Sequence, residues 1–322
     1  MDFLTKEQEL QMATPEEKQS SYQAIDVSVN IHLPEHSYRL LPLGLYKAAG
    51  PTWVEKIRAG WPPEYMLEMM GRSKVQLSLV ISLWCANGVG GEELYVTAEE
   101  MLPMFADHPT KFLGLVGISP IRAWTDKYYA PRYIDRMVRQ HGFKGAHMYP
   151  HWFGIRIDDP RMYPIFEKCV ELDVPISFQT GQGTMRSNSR IVARPIWIDN
   201  IARDFPELKI VALHSGYPWE EELVALAIDN DNIFICPDVP PPRLWHTAIL
   251  EYLKEEGRFE GLGGSNKVVW ATDWPLQDQE TSLKEIDALA LAPQIRKKLV
   301  RDNAIRIFKL EAEMQDSRIS IS

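Results

Sequence analysis

Two residues mark where this chain could do chemistry. Asp273 closes the apolar run Val268-Val269-Trp270-Ala271-Thr272-Asp273, and His214 closes Ile210-Val211-Ala212-Leu213-His214. Side chains alternate along a strand, so Val269, Ala271 and Asp273 share one face, and Pro275 stops the run just beyond the carboxyl group. A carboxylate and an imidazole at neighbouring strand ends make a general base and its acid or electrophilic partner. The plainer alternative is an aspartate that caps the segment after it.

Further polar residues end other apolar runs. Ser28, Asn30 and His32 follow one another at every second position of Ile25-Asp26-Val27-Ser28-Val29-Asn30-Ile31-His32, and Gln179 sits near the end of Val174-Pro175-Ile176-Ser177-Phe178-Gln179-Thr180. His147, Tyr149 and His151 alternate in the same way, with a hydrogen-bonded core histidine as the competing reading. Among Arg186, Arg190 and Arg194, one guanidinium could grip a substrate carboxylate by its planar fork, against simple surface solvation. Trp84 and Trp274 could stack on a ring or merely pack. No GxSxG elbow, phosphate-binding glycine loop or GxGxxG turn is present.

The elements that must carry these groups repeat along the chain. Eight apolar runs read as strands: Ala24–Ile31, Val75–Leu83, Phe112–Ser119, Phe143–Tyr149, Val174–Thr180, Leu208–His214, Ile233–Cys236 and Lys267–Asp273. Between them lie segments with apolar residues three and four apart, such as Tyr163, Ile165, Phe166, Cys169, Val170 and Leu172, which predict helices. Strands alternating with helices imply parallel pairing, and eight such units close into a (β/α)8 barrel whose active site lies at the carboxyl ends of the strands. An open doubly wound sheet is the competitor. Long loops rich in proline and tryptophan follow several strands, as walls of a small-molecule pocket would.

Composition bounds the rest. The chain of 322 residues divides into a polar arm over 1–23, an α/β TIM-type barrel over 24–312 and a tail over 313–322. A net charge of −9 argues against nucleic-acid partners. No apolar run is long enough for a membrane span and the first residues hold no signal-peptide core, so a cytoplasmic protein is expected. Cys85, Cys169 and Cys236 are odd in number and lack CxxC spacing, which predicts three small core residues.

Four blocks together resemble the amidohydrolase superfamily: Asp26-x-Ser28-x-Asn30, Val174 to Gly181, Phe205 to Trp219, and Ala271-Thr272-Asp273-Trp274-Pro275. Asn303-Ala304 matches as well. The branch indicated includes aminocarboxymuconate-semialdehyde decarboxylase and pyrone-dicarboxylate lactonase. The resemblance implies a (β/α)8 barrel, a dimer and a divalent metal held by a strand-one His-x-His pair, a strand-five His, a strand-six His and a strand-eight Asp.

Of that set only His214 and Asp273 survive here, with Ser28, Asn30 and Gln179 standing where histidines are expected. A hydroxyl and two amides are poor substitutes for imidazole, so no cofactor and no tightly bound catalytic metal is expected. Residual zinc or another divalent ion would sit on His214 and Asp273. The leading expectation is a hydrolase of a small lactone or amide, with Asp273 activating water, His214 polarising the carbonyl, and Ser28, Asn30 and Gln179 binding substrate. The alternatives are a decarboxylase of a ring or unsaturated carboxylic acid, and a binding barrel without catalysis.

Overall fold

The structure, a computed structural model, describes residues 22–30, 33–36, 55, 59–86, 93–181 and 190–314. His32, Arg186 and most of the polar arm and the tail lie outside the described residues.

Seven parallel strands form one sheet in the order β1 (Ala24–Val29), β2 (Val75–Ile81), β5 (Phe112–Gly117), β6 (Ala146–Met148), β7 (Ile176–Gln179), β8 (Ile210–Leu213) and β9 (Ile233–Cys236). Nearly every strand residue is buried. Sheets covered on both faces require this, and it explains why these strands read as unbroken apolar runs rather than alternating ones.

The eighth expected strand, Lys267–Asp273, is a looser segment. It bridges β9 through Ile235 and Val268 on one side and meets β1 through Val29 and Trp274 on the other, which closes the TIM-type barrel. Helices follow the strands in alternation, among them Tyr163–Leu172 after β6, Trp197–Asp204 after β7 and Glu220–Asp229 after β8.

One element departs from the repeat. The expected second strand, Val75–Leu83, breaks at Ser82, and the chain turns into an antiparallel pair, β3 (Leu83–Ala86) with β4 (Glu93–Val96). Trp84 lies in it, its ring stacked on Tyr95 at 4.4 Å with the Arg122 guanidinium 4.3 Å from its centroid. The three cysteines are free and buried, as composition predicts. Among the described residues no helix is long and apolar enough to cross a membrane.

Candidate active site

At the carboxyl ends of the strands the polar residues converge. Asp273 accepts from Asn30 Nδ2 at 2.7 Å on Oδ1, and its Oδ2 lies 3.2 Å from His214 Nε2. Tyr149 donates its hydroxyl to Asn30 Oδ1 at 3.0 Å. Four of the residues singled out from sequence, contributed by the segments after β1, β6 and β8 and by the closing segment, thus form one chain of contacts.

Backbone shape supports this. His214 and Asp273 both adopt left-handed φ, 67° and 46°. Such conformations cost an ordinary residue roughly 1–2 kcal/mol, so the surroundings must hold them. For His214 the hold is visible: its backbone N–H donates to Asp238 Oδ1 at 2.8 Å.

Asp238 is the residue that sequence reasoning passed over. It stands two positions beyond β9, as the polar residue in Cys236-Pro237-Asp238, and the prolines around it drew attention to the loop rather than to the carboxyl. It is fully buried, and no hydrogen bond of ordinary geometry reaches its Oδ2, although the Ser28 hydroxyl lies near enough to ease its charge. One ligand atom each from His214, Asp238 and Asp273 lie within 4.8 Å of one another.

The electrostatics follow from this crowding. Burial raises the Asp238 carboxyl to about 7, with the Asp273 charge adding to the effect and His214 opposing it. Burial alone would lower the His214 imidazole, but the charges of Asp238 and Asp273 hold it above its ordinary value. Burial keeps the Cys236 thiol protonated, helped by the nearby charges of Asp238, Asp26 and Asp273. No Lys or Arg is among the buried residues described.

The remaining candidates divide. His147 accepts or donates through Nδ1 to Ser177 Oγ at 2.7 Å and meets the Tyr149 ring edge-on at 4.2 Å, while its Nε2 lacks a partner. Burial pushes this imidazole down to about 3, so it is neutral. Gln179 shares the inward face of β7 with Ser177 and presents an unpartnered Oε1. Trp274 packs on Trp61 and Tyr65 at 5.6 and 5.9 Å. Arg194 is taken up by Glu222, at 2.7 Å.

Asp26, two residues before Ser28, does not share the mouth. The β1 register slips between Asp26 and Val29. Asp26 therefore accepts from Thr272 and from Gln279, in the helix after the closing segment.

Comparison with known proteins adds four findings. Residues 88–310 match the family described as amidohydrolase. Gamma-resorcylate decarboxylase of Rhodococcus jostii (strain RHA1) is 24% identical over 261 residues, 67% of this chain and 75% of that protein. The 5-carboxyvanillate decarboxylase of Novosphingobium aromaticivorans, complexed with manganese and 4-hydroxy-3-methoxy-5-nitrobenzoic acid, superposes with a TM-score of 0.67 at 17% identity, covering 91% of this chain and 97% of that one. The dihydroxybenzoic acid decarboxylase of Polaromonas sp. JS666, with bound manganese and 2-nitroresorcinol, gives a TM-score of 0.66 at 16% identity, covering 90% and 97%.

These relatives overturn the expected lactone or amide hydrolase, since all three are named as decarboxylases. The geometry agrees. Both Asp273 oxygens are already engaged, by Asn30 and His214. Against the expected metal-free site stand three ligand atoms within 4.8 Å of one another, and two of these relatives are crystallised with bound manganese.

Proposed function

Because the chain belongs to the amidohydrolase family, we propose that it is a divalent-metal-dependent decarboxylase of a small hydroxylated aromatic acid. The observation that carries this reading is the trio of His214, Asp238 and Asp273 at the barrel mouth, in a chain whose relatives carry decarboxylase names. A mouth with two carboxylates and no buried Lys or Arg among the described residues repels an aromatic carboxylate. A divalent cation reverses that balance.

The residues present fit such an ion. His214 Nε2 and Asp273 Oδ2 are 3.2 Å apart, the separation of two neighbouring ligands bonded at about 2.0–2.2 Å to one centre. That pair would hold the ion, which would supply positive charge to offset that of the substrate's carboxylate.

The chain's own groups do the rest. Asp273 takes a proton from solvent and passes it on, so the proton that the reaction consumes reaches the ring through its carboxyl group. Proton transfer to the ring carbon bearing the carboxylate forms a C–H bond. The C–C bond to the carboxyl carbon then breaks, its electron pair restores the aromatic ring, and carbon dioxide leaves. Ring hydroxyls favour this because they push electron density onto the protonated carbon. Asn30 orients Asp273, and Tyr149 orients Asn30. The aromatic groups around them, Tyr149 with Trp152 at 5.4 Å and Trp274 with Trp61, suit a flat ring.

The test is a panel of hydroxybenzoic acids incubated with the manganese-supplemented protein, with carbon dioxide and the decarboxylated arene both measured. Release of both from at least one acid is expected. Asp273→Asn should lower the rate by at least ~100-fold, as loss of a general acid does. Full activity of that variant, or no carbon dioxide from any member of the panel, would sink the reading.

A further inference from the structure

We propose that Asp238 is a metal ligand of this chain, so that ligand duty has moved around the barrel from the end of β1 to the end of β9. The inference rests on the metal-dependent reading above and names the third protein group of its centre.

Position makes the move feasible. In the β8–β9 pair Leu213 lies opposite Cys236, so His214 and Asp238 emerge from adjacent strand ends. Asp238 Oδ1 is occupied by the His214 backbone N–H at 2.8 Å. Its Oδ2 is fully buried and lacks a hydrogen bond of ordinary geometry. A buried carboxylate oxygen with only a hydroxyl near it is costly to charge unless something positive meets it.

What it has at hand are the ligand atoms of His214 and Asp273, all within 4.8 Å of one another. Two oxygens bonded to one cation cannot be further apart than about twice the bond length, roughly 4–5 Å. The three groups therefore need little movement to share an ion. A further acceptor ends the neighbouring strand: Gln179 lies opposite Leu213 in the β7–β8 pair, is 6% exposed and leaves Oε1 without a donor.

The two β1 positions have meanwhile taken supporting work. Asn30 spends both ends of its amide, Nδ2 on Asp273 and Oδ1 on Tyr149, so it aims a ligand rather than being one. Ser28 lies beside Asp238 and eases its charge. One imidazole with oxygen donors is a harder set than several imidazoles, and it suits manganese or magnesium better than an imidazole-rich set would.

Titrating the chelator-treated full chain with manganese(II) alone, followed by calorimetry, tests this. One ion per chain is expected. Asp238→Asn keeps an oxygen for the His214 N–H but should weaken binding by more than ~100-fold, whereas the supporting change Asn30→Ala should cost about 10–100-fold. Asp238→Asn binding within about threefold of the unaltered chain overturns the inference, and so does an unaltered chain that binds no manganese. A crystal of the unaltered protein soaked in manganese decides without any variant. An anomalous peak bonded to Asp238 Oδ2 sustains the assignment. A peak on His214 and Asp273 but more than about 3.5 Å from Asp238 refutes it. Decarboxylation is read separately, so carbon dioxide release with undiminished manganese binding in Asp238→Asn would leave the activity standing and remove only this ligand.

Discussion

His147 shows how much the barrel interior can bend one residue's chemistry. Its imidazole is fully buried, and burial pushes it down to about 3, with the His214 charge adding to the effect. In the unfolded chain the same group titrates near its ordinary value, so unfolding takes up a proton at any pH between the two. A depressed histidine contributes stability that is complete above about pH 6.5 and is lost as pH falls toward 3. Replacing it with a neutral side chain, His147→Gln, removes that dependence. The stability gap between the native protein and His147→Gln should therefore shrink by about 1.4 kcal/mol for each pH unit from 6.5 down to 4. Thermal melts of both proteins across that range check it, and a gap independent of pH would mean that the ring is already charged in the fold. The residue scale also shows what sequence could reveal of the site. Asp273, His214, Asn30 and Tyr149 each end an apolar run with a polar group, and all four meet. Asp238 gave a weaker signal, because a proline separates it from its strand and its neighbours are more prolines.

At the scale of elements, the turns after β7 and β8 are built against each other. Gly181, directly after β7, has φ +74°, and a Cβ there would lie 2.4 Å from the Gly216 carbonyl carbon and 2.5 Å from Tyr217 O. Both are backbone atoms, so no side chain can swing aside. Gly216 stands two residues beyond His214, which couples this close approach to the imidazole. Gly181→Ala should cost at least about 2 kcal/mol from the left-handed backbone and the clash, and it should weaken manganese binding in the same step. A variant that melts and binds as the native chain does would show that the two turns are free to separate. The strands themselves were legible because burial on both faces writes them as continuous apolar runs. The β3–β4 pair was not, since Val75–Leu83 reads as one run and nothing in its pattern announces that Ser82 turns the chain. The slip in β1 was equally silent. Strict alternation puts Asp26, Ser28 and Asn30 on one face, whereas in the fold Asp26 faces Thr272 and Gln279 instead.

The whole molecule depends on a closure that is weaker in backbone bonds than the rest of the barrel. Where β7, β8 and β9 pair over four residues each, the closing segment has single bridges, Val29 with Trp274 and Ile235 with Val268. Side chains complete the seam. Asp26 accepts from Thr272 N at 3.1 Å, Thr272 Oγ1 at 2.6 Å and Gln279 Nε2 at 3.0 Å. On the other side Asn303 Nδ2 donates to Ser265 O at 2.9 Å and Val268 O at 2.7 Å. Thr272 matters twice, because its Oγ1 also accepts from Trp274 N at 3.2 Å, which fixes the turn that presents Asp273. Thr272→Val keeps the shape and removes both bonds. It leaves a buried N–H without its partner and deprives a buried carboxylate of its shortest contact, which together should cost about 2–4 kcal/mol. An exposed ion pair gives the contrast: Lys284, 72% exposed and paired with Glu280, should change stability by less than about 1 kcal/mol when replaced by alanine. Melting temperatures of the two variants decide between a barrel held at its seam by buried polar groups and one held by apolar packing alone. If Thr272→Val melts with Lys284→Ala, the seam bonds are incidental. If it melts several degrees lower and loses manganese affinity too, closing the barrel and aiming Asp273 are one structural task.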